Sequence, residues 1–179
     1  MNILETVLQA AGGSAVSTIA KNFGIIGSQA SQVIGQLIPA LSRGVQKNTQ
    51  STEGLDDLIS ALRAGKHSSY IDNPGDLLKN NNIDDGNKIL GHLFGDKQVS
   101  REVASRAANN TGVDSSIIKK MLPIIASLAM GAMSKKSAQV GINSPQSSGV
   151  SDLLSGFLDS DGDGSIADDL LGMAGKFLR

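Results

Sequence analysis

Apolar residues recur along most of the chain with the spacing of amphipathic helices. Stripes with i, i+3, i+4 spacing end at or near glycines, which commonly terminate helices. No stretch shows the two-residue alternation of a half-buried strand, so the pattern predicts an all-α protein. The predicted helices cover residues 3–11, 16–23, 33–41, 55–62, 86–94 and 99–107, with a last one introduced by Asp114. For the helix at 86–94, Asp84 or Asp85 is expected to be the N-cap.

An apolar segment around a proline occurs twice. Residues 33–41, with Pro39, and residues 117–125, with Pro123, carry apolar side chains in the same order. Each segment follows a short helix that ends in a glycine, Gly24 or Gly112. The interval from glycine to proline is four residues shorter in the second copy, close to one helical turn. The pattern predicts a multi-helical bundle built from two repeated helix pairs, although chance recurrence would give the same pattern.

Composition divides the chain into three parts. Residues 1–133 carry the helical periodicity of a bundle domain. Residues 134–150, SKKSAQVGINSPQSSGV, have the Ser, Gln, Gly and Pro content of a flexible linker. Residues 151–179 hold six aspartates against Lys176 and Arg179, a balance of −4, and form an acidic tail. The whole chain has a net charge of −1, which argues against a protein built to coat nucleic acid or an anionic membrane.

The tail contains the beginning of a calcium-binding loop. Aspartates at alternate positions followed by a glycine match D-x-D-x-D-G, and amphipathic helix patterns lie on both sides. Leu170 stands at the twelfth position, where such loops carry a bidentate glutamate, so a C-terminal EF-hand-like helix–loop–helix with weak Ca²⁺ affinity is predicted. A solvated acidic turn is the alternative. The predicted ligands are Asp159, Asp161, Asp163, the carbonyl of Ser165, and Asp168 or Asp169.

Other chemistry has few candidates in this sequence. The chain has no cysteine, which excludes disulfides, thiolate metal sites and cysteine nucleophiles. His92, near Asp84 and Asp85, is the candidate for a hydrolase-type enzyme, but a histidine between two leucines is more often a packing residue. A helix–turn–helix over 99–133 is the DNA-binding alternative, yet its second helix lacks Arg, Asn or Gln at its start.

No membrane span or export signal is predicted. The longest uncharged stretch, 121–134, is shorter than the roughly 20 residues that cross a bilayer. Lysines on either side of it also fit an interfacial helix, but a core helix with solvated lysines at its ends is preferred. The first residues lack a basic region, so a cytoplasmic protein is expected.

Three segments together resemble a known bacterial family. They are GNKILGHLFG at 86–95, the paired LIPAL and MLPII segments, and the terminal LLSGFLDSDGDGSIADDLLGMAGKFL. The chain resembles the bacterial family catalogued as domain of unknown function 937, to which YidB-like proteins are related. The resemblance implies an all-helical bacterial protein and brings no catalytic residue.

These observations favour a non-enzymatic interaction or self-association protein. The apolar face of the tail is too large for two short helices to bury between themselves, so we expect it to dock on its own bundle or on another copy. Glycines inside helical patterns are expected where helices approach closely. They are Gly35, Gly91, Gly131, Gly172 and Gly175.

Overall fold

Helices account for nearly all of the residues that the computed structural model describes, which are 13–63 and 66–139. No strand occurs in these ranges, and the all-α prediction is confirmed. The predicted helix at 3–11 and the acidic tail lie outside the described residues. The α-helices are α1 (Ser14–Phe23), α2 (Gly27–Thr49), α3 (Thr52–Arg63), α4 (Ser69–Asp72), α5 (Asn80–Phe94), α6 (Lys97–Thr111) and α7 (Ser115–Gln139), and 3-10 turns at Lys66–Ser68 and Pro74–Leu78 flank α4.

Helix α7 forms the centre of the bundle. Every residue from 121 to 134 is buried, so this part of the helix is covered on all sides. A helix with apolar residues around its whole circumference must be enclosed by other elements. Contacts from α2, α3, α5 and α6, from α4 and from both 3-10 turns provide that enclosure.

The same helix is the one described segment long and apolar enough to cross a membrane by length and composition. Of its most apolar 18-residue window, 78% is buried inside the bundle. This burial is that of a core helix. It also explains why the lysines at its two ends stay near solvent, where Lys135 pairs with Asp72 at 2.8 Å between Nζ and Oδ1.

Neighbouring elements approach closely at Gly44, Gly86 and Gly131, and of these only Gly131 was expected from the sequence. A Cβ on Gly131 would lie against the carbonyl oxygen of His67, as predicted for an interior glycine. Gly91 is exposed with nothing within 4 Å of such a Cβ, so that prediction is wrong. Gly86 meets the carbonyl of Pro123, and Gly44 would place a Cβ 3.0 Å from the Cβ of Leu93.

Helices α2 and α5 extend well beyond their predicted bounds of 33–41 and 86–94. The stripe at 33–41 predicted a helix end near the next glycine, Gly44, but α2 continues to Thr49. Gly44 is instead the point where α2 packs closely on Leu93 of α5. Helix α5 begins at Asn80, with Lys79 in extended conformation as its N-cap and without a side-chain cap. Asp84 and Asp85 therefore lie inside the helix. The Asn82 side chain holds its first turn, accepting from the Tyr70 hydroxyl at 2.9 Å and donating to the Asp76 carbonyl at 2.5 Å.

The α1–α2 and α6–α7 pairs share some local features. Gly24 ends α1 with φ of 65°, and Gly112 ends α6 with φ of 69°, a left-handed conformation that favours glycine. Each following helix contains one proline, but Pro39 is exposed and Pro123 is buried. The two prolines thus lie in different environments.

Helix α7 runs past Met133 to Gln139, so it includes the first residues of the segment whose composition is typical of a linker. Ser134 is buried and its hydroxyl donates to the carbonyl of Leu62 at 3.2 Å. Ser137 is buried as well. Because these contacts bind the last turns to α3 and to neighbouring elements, the polar composition does not end the helix there.

Two alanine substitutions on α5 should separate close packing from helix propensity. Gly86→Ala forces a methyl group against the Pro123 carbonyl and should lower the free energy of unfolding by about 1–3 kcal/mol. Gly91→Ala, in open space on the same helix, should raise it by about 0.5–1 kcal/mol. Urea unfolding followed by circular dichroism measures both. Equal effects of the two changes would contradict the packing of α5 on α7.

Candidate interaction site

Helix α6 lies between two solvent-open grooves. The first, between α2 and α6, has a volume of about 430 Å³ and is called the arginine groove. Its lining includes small and apolar residues such as the exposed Pro39 and Val99, which is 40% exposed. Arg43 and Arg106 provide its cations, and Glu102 provides its carboxylate.

The second groove, here called the lysine groove, lies between α5, α6 and the start of α7. It has a volume of about 540 Å³. Three cationic side chains from two helices line it, with Asp96 as the one acidic residue of the lining. Leu90 and Leu122 lie beneath it and are only 6% and 2% exposed. The three cations are Lys97, Arg101 and Lys119.

Short inward and long outward side chains explain why α6 has a groove on each side. Ala104 and Ala107 are buried, and such small residues let α6 lie close to its neighbours while leaving space beside them. At the N-terminus, the Asp96 carboxylate accepts from the backbone N–H of Gln98 at 2.8 Å and fixes the first turn. At the other end, Asn110 donates to Gln36 of α2 at 2.8 Å and closes the arginine groove.

The cations around α6 are only partly neutralised. Arg106 pairs with Glu102 at 2.5 Å, but both side chains are exposed, and such surface pairs are worth little. Arg101 donates to the neutral side chain of Gln98 at 3.2 Å. Lys97 and Lys119 form no ion pair among the described residues. The lysine groove therefore offers charge to an acidic partner.

Asp114 lies directly before α7, the helix that contributes Lys119 to the lysine groove. Hydrogen bonds from the side chain and the backbone N–H of Ser116 lower the pKa of the Asp114 carboxyl, and Lys119 adds to the effect. The carboxylate thus stays ionised at the start of α7, where negative charge is favourable. Because the pKa falls on folding, this contribution to stability is present above the carboxyl's unfolded pKa and is lost as the pH drops through the folded value.

A third depression, the His92 pocket, lies between α2, α3 and α5 with Met130 of α7 at its base. Its volume is about 250 Å³. The lining is mostly apolar, with Asp57, His92 and Asn48 as its polar members. The Asn48 amide donates to the carbonyls of Gly44 at 2.9 Å and His92 at 3.0 Å, so it joins the ends of α2 and α5.

The carboxylates expected near His92 do not line this pocket. Asp85 pairs with Lys88 at 3.4 Å and lies near Tyr70 instead. Burial, and then the charge of Asp85, raise the pKa of the Tyr70 hydroxyl. Asp57, from a different helix, is the carboxylate that the fold brings to the pocket of His92.

The family model described as "Bacterial protein of unknown function (DUF937)" matches residues 5–136. The chain belongs to the DUF937 family. Comparison with curated proteins and with solved structures gives no match. The DUF937 match covers the bundle and all three depressions, and it ends before the acidic tail.

The predicted calcium ligands lie outside the described residues of this DUF937 protein. They are Asp159, Asp161, Asp163, Ser165, Asp168 and Asp169. Within 13–63 and 66–139, no group of three or more His, Cys, Asp or Glu side chains is placed to hold a metal ion.

Sequence reasoning did not identify the lysine groove. The i, i+4 spacing of Lys97 and Arg101 places both on one helix face and could have indicated a charged stripe. Lys119 lies 18 residues after Arg101, and only the packing of α7 on α6 brings it to the same groove. A charge pattern within one helix cannot predict such a meeting.

The contribution of Asn48 to the packing of α2 on α5, beside the His92 pocket, can be tested by substitution. Asn48→Ala removes the amide that bridges the ends of α2 and α5, and we expect the free energy of unfolding to fall by about 1–3 kcal/mol. Asn110→Ala removes one exposed bond to Gln36 and should change it by less than about 0.5 kcal/mol. Chemical denaturation of both variants is the measurement, and a larger loss in Asn110→Ala would contradict the bridging role.

Proposed function

We propose that this DUF937 protein is a non-enzymatic interaction protein whose α6 surface, formed by the arginine and lysine grooves, binds an acidic amphipathic helix. One observation carries the proposal. Lys97, Arg101 and Lys119 converge on one open groove above the buried Leu90 and Leu122. The aliphatic stems of these three side chains would supply apolar contact, and their charges would select an acidic partner and its orientation.

The His92 pocket supports this choice over an enzyme that uses His92. The His92 pocket, at about 250 Å³, is smaller than the roughly 300–1,000 Å³ usual for small-molecule sites. Its size suits one large apolar side chain better than a substrate with a reacting group. Asp84 and Asp85, the partners expected for a catalytic His92, do not line this pocket, and Asp85 pairs with Lys88.

Binding of DNA is the second candidate for a cationic surface. In a helix–turn–helix, the second helix enters the major groove and reads bases with side chains near its start. Here that helix is α7, whose start exposes Ser116, Lys119 and Lys120 but has no Arg, Asn or Gln to read bases. Cations on α6 alone would give electrostatic contact with phosphates without base readout. We therefore prefer an acidic protein partner.

The remaining expectations from the sequence are part of the same proposal. We infer an EF-hand-like tail that binds Ca²⁺ weakly, and a bundle derived from two repeated helix pairs. The glycines that end α1 and α6 in the same left-handed conformation support the repeat. A cytoplasmic location is proposed with them.

Binding at the α6 surface can be tested with a labelled synthetic peptide of residues 151–179, used as an acidic amphipathic probe. The receptor is the full-length chain with its own six aspartates in 151–179 replaced by asparagine, so that the attached segment does not compete with the peptide. Fluorescence anisotropy should show saturable binding that weakens as salt screens the exposed charges. Reversal of the three groove cations, as Lys97→Glu/Arg101→Glu/Lys119→Glu, should weaken binding by about tenfold or more because attraction becomes repulsion.

The matched control reverses three lysines that line none of the three depressions. Lys47→Glu/Lys88→Glu/Lys136→Glu changes the net charge by the same amount and should leave most of the binding in place. If both triple variants lose binding equally, the attraction is one of net charge alone and the α6 site is wrong. If the chain with the asparagine-substituted segment does not bind the peptide, the proposed function fails.

Calcium binding is tested separately by calorimetric titration of the full chain. We expect a dissociation constant on the order of 10⁻⁴–10⁻³ M, since the loop lacks the usual bidentate glutamate. The heat should vanish in Asp159→Ala/Asp161→Ala and persist in Asp56→Ala/Asp57→Ala, which removes two acids from α3. No heat at millimolar calcium, or heat that survives the loop substitutions, would contradict the site.

A further inference from the structure

Segment 151–179 of this chain is itself an acidic amphipathic partner of the kind that the α6 surface fits. It carries six aspartates and two cations, with apolar residues at helical spacing such as Leu154 and Phe157. The lysine groove carries three cations and one carboxylate above an apolar base. The charges of the two are opposite, and each offers apolar surface to the other.

The position of the α7 C-terminus sets where this segment can reach. Leu122, at the base of the lysine groove, lies 17 residues before Gln139, which corresponds to about 26 Å along a helix. The next residues lead from Gln139 to Ser151, and a chain of twelve residues spans at most about 40 Å. The groove is therefore within reach of the segment of the same chain.

A nearer depression is also within reach, and charge decides between the two. Met130, at the base of the His92 pocket, lies only nine residues before Gln139, about 14 Å along α7. That pocket borders α3, which presents Glu53, Asp56 and Asp57. Carboxylates of the segment would be repelled there, whereas Lys97, Arg101 and Lys119 attract them. Electrostatic complementarity of this kind selects one surface and suppresses the other.

We propose that segment 151–179 binds the lysine groove of its own chain. Bound there, it competes with acidic helices of other proteins for the same groove. The inference rests on the proposed function of the α6 surface and names an occupant of it. Attachment through a short connection gives an effective concentration in the millimolar range. A second copy at micromolar concentration competes poorly with a segment tethered in this way.

The absence of cysteine from the natural chain allows a direct test by cross-linking. One full-length variant carries Ser100→Cys, in the lysine groove, and Ser155→Cys, in the acidic segment. The matched variant carries Ser60→Cys, at an exposed position of α3, and Ser155→Cys. A short bismaleimide is added at low micromolar protein, and denaturing gels separate products within one chain from products between two chains.

We expect the Ser100→Cys variant to form the product within one chain at least several times faster than the Ser60→Cys variant. The difference should vanish when Lys97→Glu/Arg101→Glu/Lys119→Glu is added. Equal rates in the two cysteine pairs, no product, or a product only between chains would overturn the inference. In each of these cases, peptide binding in the anisotropy experiment would still support the α6 surface, whereas loss of peptide binding would remove the proposed function itself.

Discussion

The enclosure of α7 on all sides is the constraint on which the rest of the bundle depends. Ile118, Leu122, Ile125 and Leu128 are at most 2% exposed, and burial of each such side chain contributes about 1.5–3 kcal/mol. A helix that is apolar around its circumference cannot gain this energy against one neighbour. The chain therefore packs α2, α3, α5 and α6 around it and lays the segment from Lys66–Ser68 through α4 across its remaining side.

Close packing around α7 determines which residues the surrounding elements can use. Gly86 and Gly131 occupy points where a backbone carbonyl of one element meets another helix without room for a Cβ. The small residues Ala104 and Ala107 serve the same purpose on α6. Because short side chains bring α6 inward, its longer charged side chains stand at the edges of two grooves. The surface that we assign to binding is thus a consequence of how the core is filled.

Charge distinguishes the lysine groove from the His92 pocket. Each has apolar residues at its base, but the lysine groove is cationic and the His92 pocket borders an acidic helix. In our proposals, the aspartates of the C-terminal segment have two competing partners, a calcium ion and the cations of the lysine groove. Ca²⁺ bound in the loop would neutralise carboxylates of the segment and weaken its binding to the lysine groove. The reason is that the ion and the groove cations attract the same carboxylates. Calcium binding and exposure of the α6 surface would in this way be linked.

The sequence by itself determined the helical class, because hydrophobic periodicity and glycine positions are local signals. The helix ends at Gly24, Gly95 and Gly112 were predicted correctly, and each of these glycines has the positive φ that favours glycine. Only the tertiary structure decided that α2 continues through Gly44 and that α5 begins at Asn80. The crossing with Leu93 and the bonds of Asn82 to Tyr70 and Asp76 come from distant parts of the chain. Likewise, no spacing in one helix could place Lys119 beside Lys97 and Arg101, since their meeting depends on how α7 is buried.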